Sequence, residues 1–144
     1  MNAYFDTAII IKLYVQEATS PDAVRLVSDS PAPYLLMPWQ DIEVRTAIRL
    51  KAFRKEITAA EMQGSLDAFE EDLRSRRWKG RPYKERRVFE LARKLFARHA
   101  ATLGCRTLDL IHVATALAAG VKTFVTFDER QRAVAKLEGL TVKP

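Results

Sequence analysis

The chain has 144 residues, of which 48% are hydrophobic and 29% charged, and its formal net charge is +6. This length suits one hydrophobic core, so we predict a single domain over residues 1–144, and the composition is that of a globular protein. No apolar run reaches the roughly 18–20 residues of a membrane helix and no secretory signal opens the chain, so we expect a cytoplasmic protein without a membrane partner.

Cysteine and histidine are scarce, which limits the metal chemistry of the chain. Cys105 is the one cysteine, and His99 and His112 are the two histidines. An internal disulfide is therefore excluded, and a zinc site built from thiolates is not expected. A bound metal would have to be held by oxygen ligands, which favours Mg²⁺ or Mn²⁺.

The first half of the chain predicts two strands and four helical segments. The apolar run that ends at Asp6 is typical of a buried strand, and Thr58 with Glu61 forms a capping box. The predicted elements are a strand over 2–5, a helix or turn over 9–14, a helix from Ser20 to before Pro31, a strand over 33–37, a helix over 39–53 and a helix that follows Thr58.

The second half predicts short strands that alternate with helices. The predicted elements are a loop or short strand over 76–82, a helix from Val88 that ends near Gly104, a helix from Arg106 to Gly120, a strand over 123–127, a helix over 129–137 and a strand over 140–142. This alternation predicts an α/β fold with a parallel sheet covered on both faces.

Four acids stand where predicted strands end or helices begin. Asp6 and Asp128 each end a strand, and ligands of parallel sheets bind beyond the carboxyl ends of the strands. Asp109 lies in the first turn of its helix, and Glu43 lies early in the helix after the second strand. If these carboxylates meet at one edge, a cation is needed to offset their repulsion, so the pattern indicates a divalent-metal site.

Each of these residues also has a purely structural explanation. Asp6 and Asp128 suit helix N-caps, Asp109 suits the positive end of a helix dipole, and Glu43 suits a solvated helix surface. His112, three residues after Asp109, either bonds to a carboxylate, touches the substrate or is a partly buried packing residue.

Four motifs carry a resemblance to a known family. They are Phe5-Asp6-Thr7 before an apolar helix, Glu43-Val44-Arg45-Thr46-Ala47, Asp109 followed by His112, Val113 and Ala114, and Thr126-Phe127-Asp128 before an Ala-containing helix. In this order and spacing the chain resembles the PIN-domain family, and in particular the VapC-type toxins of bacterial toxin–antitoxin pairs.

The resemblance implies a three-layer α/β/α sandwich with a mostly parallel central sheet. It implies Mg²⁺- or Mn²⁺-dependent cleavage of RNA in which Asp6, Glu43, Asp109 and Asp128 are both the catalytic and the metal-binding residues. It also implies a homodimer and a small antitoxin protein as partner. We expect Thr7, Thr126 and His112 to support the acids, although either threonine hydroxyl could instead satisfy local backbone groups.

The segment from Arg74 to Arg98 is strongly basic. It holds eleven Lys or Arg residues and two Glu, a local charge of +9, which favours a polyanion or an acidic partner over a merely solvated face. We expect contact with RNA or the antitoxin at Arg76, Arg77, Lys79 and Arg81. Trp78 and Tyr83 either stack on unpaired bases or, for Trp78, anchor the loop to the core.

Two other interpretations compete with a nuclease. A non-catalytic RNA- or protein-binding module on the same fold is opposed by the intact set of four acids. A phosphatase with an aspartyl nucleophile would carry a second Asp two residues after Asp6, where this chain has Ala8. For association, the apolar residues of the fourth helical segment (Met62, Leu66, Phe69 and Leu73) form either an exposed stripe or part of the core.

Overall fold

The computed structural model describes residues 1–144 and contains seven helices and five strands. In chain order the elements are β1 (Ala3–Phe5), α1 (Thr7–Ile11), α2 (Ser20–Ser28), β2 (Tyr34–Leu35), α3 (Pro38–Phe53), α4 (Ala59–Arg74), β3 (Trp78–Lys79), α5 (Glu85–Leu103), α6 (Thr107–Ala118), β4 (Thr123–Val125), α7 (Glu129–Leu137) and β5 (Thr141–Lys143). None of the helices combines the length and the apolar character needed to cross a membrane.

The chain divides into two compact units. Unit 1 comprises Met1 and Thr7–Gly80, and unit 2 comprises Asn2–Asp6 and Arg81–Pro144. Unit 1 contains α1 to α4 with strands β2 and β3, and unit 2 contains β1, β4 and β5 with helices α5 to α7.

Unit 1 is mainly helical. Helix α3 packs against both α1 and α4, and β2 pairs in parallel with β3, with Tyr34 opposite Trp78. The start of α4 has the expected capping box, in which Thr58 accepts from the Glu61 amide and Glu61 accepts from the Thr58 amide. On α4, Leu66 and Phe69 are buried and Met62 and Leu73 are partly buried, so these apolar residues contribute to the core and do not form an exposed stripe.

Trp78 is an anchor of unit 1 and is not a stacking platform for RNA bases. Its side chain is buried, its ring lies 5.2 Å from that of Tyr34, and its indole N–H donates to the Tyr14 hydroxyl at 2.6 Å. The Tyr14 hydroxyl donates in turn to Asp72 at 2.7 Å. Burial, together with this bond to Asp72, raises the pKa of Tyr14 well above its ordinary value, so the hydroxyl stays a donor.

Unit 2 contains a three-stranded parallel sheet in the order β1-β4-β5, which confirms the predicted parallel pairing. Tyr4 lies opposite Phe124 in the register, and their stacked rings have centroids 5.5 Å apart in the core. Because β1 and β4 are parallel neighbours, the residues that follow both strands lie at the same edge of the sheet. These residues are Asp6 and the segment from Thr126 to Asp128.

The three helices of unit 2 pack against one another. Helix α5 begins at Glu85, three residues before the predicted start, and ends where Gly104 adopts the left-handed conformation with φ of 63°. That conformation strains any residue with a side chain, so glycine is favoured at this point. Helix α6 begins three residues later, at Thr107, which places Asp109 in its first turn.

Candidate functional site

Asp6 is a buried carboxylate with several donors around it. Its main-chain N–H continues the pairing of β1 with β4 by donating to the Val125 carbonyl at 2.9 Å. Its Oδ2 accepts from the Thr126 hydroxyl at 3.3 Å, and its Oδ1 lies 3.3 Å from His112 Nε2 and 3.4 Å from Gln131 Nε2. A carboxylate taken out of water needs such donors, because burial without them carries a large free-energy cost.

Thr126 joins Asp6 to Asp128. Its hydroxyl is fully buried, donates to Asp6 and accepts from the main-chain N–H of Asp128 at 3.0 Å. Asp128 is the N-cap of α7, because its Oδ1 accepts from the Gln131 main-chain N–H at 2.8 Å. The structural explanation for Asp128 therefore holds, but the cap engages one carboxylate oxygen and leaves the other available.

Asp109 follows the same pattern at the start of α6. One oxygen, Oδ2, accepts from the Arg106 main-chain N–H at 3.0 Å and lies 3.6 Å from the Arg106 guanidinium Nε. The other oxygen, Oδ1, lies 3.5 Å from Gln131 Nε2. Gln131 therefore contacts both Asp6 and Asp109, so these two carboxylates converge on one donor.

His112 is buried, and its Nε2 lies within ion-pair distance of a carboxylate, so the carboxylate and packing interpretations of this residue are not exclusive. Its Nε2 faces Asp6, and its Nδ1 lies 3.0 Å from the Tyr4 hydroxyl. The ring therefore has a polar partner at each of its nitrogen atoms. Tyr4 thereby fixes the ring orientation from the core of the sheet.

Sequence reasoning missed Gln131 and Tyr4. Tyr4 was part of a predicted buried strand, and only its distant partner on α6 gives it a polar role. Gln131 did carry a signal, because it shares the buried face of α7 with Val134 and Ala135 at helical spacing. A glutamine on an otherwise apolar face indicates a polar partner inside.

Glu43 and Thr7 form a pair within unit 1. Thr7 begins α1, directly after Asp6 in the chain, and its buried hydroxyl donates to Glu43 Oε2 on α3. This contact accompanies the packing of α1 on α3. Thr7 therefore bonds to one of the four predicted acids and does not merely satisfy local backbone groups.

The predicted basic contact residues differ in how firmly they are held. Arg77 pairs with Asp72 at 3.3 Å and lies over the Tyr34 ring, whereas Arg81 in unit 2 donates to the Ala119 carbonyl at 2.7 Å. Arg76 and Lys79 are exposed, and Arg76 has a positive φ of 59°.

Negative charge from the acids reaches a neighbouring thiol. Burial is the largest influence that raises the pKa of Cys105, and the carboxylates of Asp109 and Asp128 raise it further.

The side chains as positioned form no group of three or more His, Cys, Asp or Glu residues that could hold a metal ion. Mg²⁺, however, is commonly held by one or two carboxylates together with several waters. Asp6 and Asp109 provide a buried pair of carboxylates of that kind, and both contact the side-chain amide of Gln131. The donor set thus fits Mg²⁺ or Mn²⁺ in its chemistry, since all of its ligand atoms are carboxylate oxygens.

Comparison with known proteins identifies the family. The PIN-domain profile matches residues 3–137, and no curated protein matches the chain. PIN domains are generally nucleases that use divalent metals such as Mg²⁺, and their fold is the predicted three-layer α/β/α type with a parallel central sheet. Because the match covers nearly the whole sequence and includes all four predicted acids, this chain belongs to the PIN-domain family.

Proposed function

We propose that this protein is a Mg²⁺- or Mn²⁺-dependent endoribonuclease and the VapC-type toxin of a type II toxin–antitoxin pair. The observation that carries the proposal is the convergence of two buried acids, Asp6 and Asp109, on the side-chain amide of Gln131. Asp128 is tied to this pair through Thr126. Buried carboxylates are costly unless they are paired or coordinate a metal, so this cluster suits a cation-dependent reaction.

We propose Asp6, Glu43, Asp109 and Asp128 as the residues that hold the metal. A divalent cation supplies an activated water and stabilises the charge that develops on the phosphate. The protein's own contribution is to orient the ligands. The side chains of Thr126 and His112 contact Asp6, and the Thr7 hydroxyl donates to Glu43. The main-chain N–H of Arg106 donates to Asp109, and the main-chain N–H of Gln131 donates to Asp128.

RNA binding is proposed for the basic residues that have no firm partner in the protein. Arg76 and Lys79 are exposed, and α5 adds the exposed Arg93 and Lys94, which form no ion pair. Arg77 and Arg81 would have to exchange a protein contact for a phosphate. Binding through phosphates weakens steeply with added salt, so the affinity for RNA should fall as salt rises.

We propose a small antitoxin protein as inhibitor and a homodimer as the working form in the cytoplasm. Both proposals rest on the resemblance to VapC-type toxins. Light scattering at two protein concentrations tests dimerisation, and co-expression with the protein encoded by the neighbouring gene tests inhibition.

The decisive experiment is cleavage of total transfer and ribosomal RNA by the purified chain, with Mn²⁺ or with EDTA. We expect discrete products with 5′-phosphate and 3′-hydroxyl ends that disappear with EDTA. Asp6→Asn and Asp109→Asn should both abolish cutting. Asp67→Asn on the exposed face of α4 is the matched control and should cut like wild type.

Two other outcomes would count against the proposal. Cutting that persists in EDTA or in Asp109→Asn would show that the assigned acids do not carry the reaction. Absence of both cutting and a saturable Mn²⁺ site in calorimetry would favour a non-catalytic RNA- or protein-binding module on the same fold.

A further inference from the structure

Gln131 has a position that packing alone does not explain. It is the third residue of α7, and only 4% of it is exposed. Its neighbours on the buried face of the helix, Val134 and Ala135, are apolar. An apolar residue at 131 would satisfy the core without placing an amide inside it.

The amide nitrogen of Gln131 lies between two acids. It is 3.4 Å from Asp6 Oδ1 and 3.5 Å from Asp109 Oδ1, at the long limit of hydrogen bonding. The opposite orientation would point the amide oxygen at two carboxylates and would be repulsive, so the nitrogen must face them. The N–H groups of the Gln131 side chain thus lie between the carboxylates of Asp6 and Asp109 and form only long hydrogen bonds with them.

The other end of the same amide is unsatisfied. Gln131 Oε1 is the one buried side-chain nitrogen or oxygen atom without a hydrogen-bond partner. Burying an acceptor without a partner is unfavourable, which argues against a merely structural role for the amide. A rotation about one bond, Cγ–Cδ, would therefore turn an oxygen atom without a hydrogen-bond partner toward two candidate metal ligands, Asp6 and Asp109.

We propose that Gln131 is a fifth ligand residue of the divalent-cation site, an assignment that rests on the proposed metal-dependent function. Without a cation, the side-chain N–H groups of Gln131 bridge Asp6 and Asp109. When a cation binds, rotation about the Cγ–Cδ bond turns Oε1 toward the two carboxylates, where it serves as a neutral oxygen ligand. Carbonyl-type oxygens bind Mg²⁺ and Mn²⁺ as carboxylates do, whereas an N–H group is repelled by a cation. The same side chain thus stabilises the pair of acids and adapts to the cation.

Mn²⁺ affinity measured by calorimetry tests this assignment without an activity assay. Gln131→Leu should bind Mn²⁺ about tenfold more weakly, within the range found for residues that support metal ligands. Gln131→Glu should bind it more tightly than wild type, because a carboxylate offers a charged oxygen at the same place. Gln63→Leu, which removes an exposed amide bonded to Asp67 at 2.8 Å, is the control and should bind like wild type.

Nuclear magnetic resonance of the wild-type protein gives a second readout that needs no stable variant. The side-chain amide signals of Gln131 are assigned by triple-resonance experiments on the isotope-labelled wild-type protein. We expect these signals to shift on titration with Mg²⁺, whereas those of Gln63 should stay in place.

The possible failures are distinguishable. Equal Mn²⁺ affinity in wild type, Gln131→Leu and Gln131→Glu, with unmoved Gln131 signals, would overturn the ligand assignment and leave a metal-dependent nuclease intact. A wild-type protein with no saturable Mn²⁺ site and no EDTA-sensitive cleavage would overturn the proposed function, and the role of Gln131 with it.

Discussion

Thr126→Val should destabilise the protein through two lost hydrogen bonds and almost no lost volume. Valine has nearly the shape of threonine and suits the end of a strand, so no cavity is expected. The variant leaves the Asp128 main-chain N–H without its acceptor and removes a donor from the buried Asp6. An unsatisfied buried group costs about 1–3 kcal/mol, and at about 3 °C per kcal/mol for a chain of this size the Tm should fall by about 3–9 °C.

The same substitution should weaken binding at the proposed metal site. Asp6 loses the donor that orients its Oδ2, and removal of such supporting contacts typically costs about 10–100-fold in metal affinity. Differential scanning calorimetry in EDTA measures the stability effect, and titration with Mn²⁺ measures the affinity effect. The two measurements separate the structural role of Thr126 from its role at the site.

Thr115→Val is the matched control for this prediction. Thr115 is equally buried, but its hydroxyl donates to the Ile111 carbonyl within α6 at 2.7 Å, where that carbonyl already accepts from the helix backbone. Its loss leaves no orphaned group, so the Tm should change by no more than about 1–2 °C. Equal destabilisation by the two substitutions, or none by Thr126→Val, would refute the role assigned to the Thr126 hydroxyl.

Three further predictions use other parts of the chain. Burial disfavours ionisation of Glu138, but the hydrogen bonds with His99 and Arg98 outweigh burial and lower the pKa of Glu138 below 4.5. The ionised carboxylate therefore stabilises the folded protein above that pH, and this stabilisation is lost as the pH falls through the folded-state pKa. The Tm difference between wild type and Glu138→Gln should therefore shrink from about pH 6 to about pH 3, and a constant difference would contradict this. Cys105 should react with a thiol reagent more slowly than free cysteine until urea unfolds the chain, because its pKa is raised; rapid labelling of the folded protein would contradict this. Arg93→Ala should weaken RNA binding and reduce the slope of log affinity against log salt by about one, whereas an unchanged slope would remove Arg93 from the RNA surface.

Local sequence signals predicted the elements of the fold well. The capping box at Thr58 and Glu61, the glycine after α5 and the acid after β1 each depend on residues close together in the chain. Strand lengths were less accurate, since the strand predicted over 33–37 is the two-residue β2. Pairing with β3, about forty residues later in the chain, decides which of those residues join a ladder, and no local pattern contains that information.

The candidate site was predictable in its acids and not in its contacts. Asp6, Asp109 and Asp128 stood out because strand ends and helix starts can be located from sequence. The hydrogen bond from Tyr4 to His112 spans 108 residues, and that from Gln131 to Asp6 spans 125. Contacts of this kind depend on packing between distant elements, so composition and periodicity do not reveal them.

Asp109 and Asp128 each accept a hydrogen bond at a helix start, and we propose that each is also a metal ligand. Each gives one oxygen to a backbone N–H at a helix start and keeps the second oxygen for another partner. Substitution can separate the two roles at Asp128, because asparagine caps a helix as well as aspartate does, whereas alanine does not.

Asp128→Asn should therefore keep α7 intact while removing a charge from the metal site. We expect wild-type stability or slightly higher in EDTA, since one carboxylate near Asp6 and Asp109 is gone, together with weaker Mn²⁺ binding. Asp128→Ala should bind Mn²⁺ as weakly and also lose about 1 kcal/mol of stability through the lost cap. Thermal melts in EDTA and Mn²⁺ titrations of both variants check this. If both variants lose stability equally, the cap at Asp128 contributes nothing. If Asp128→Asn binds Mn²⁺ like wild type, the carboxylate serves α7 alone and the structural explanation of Asp128 is sufficient.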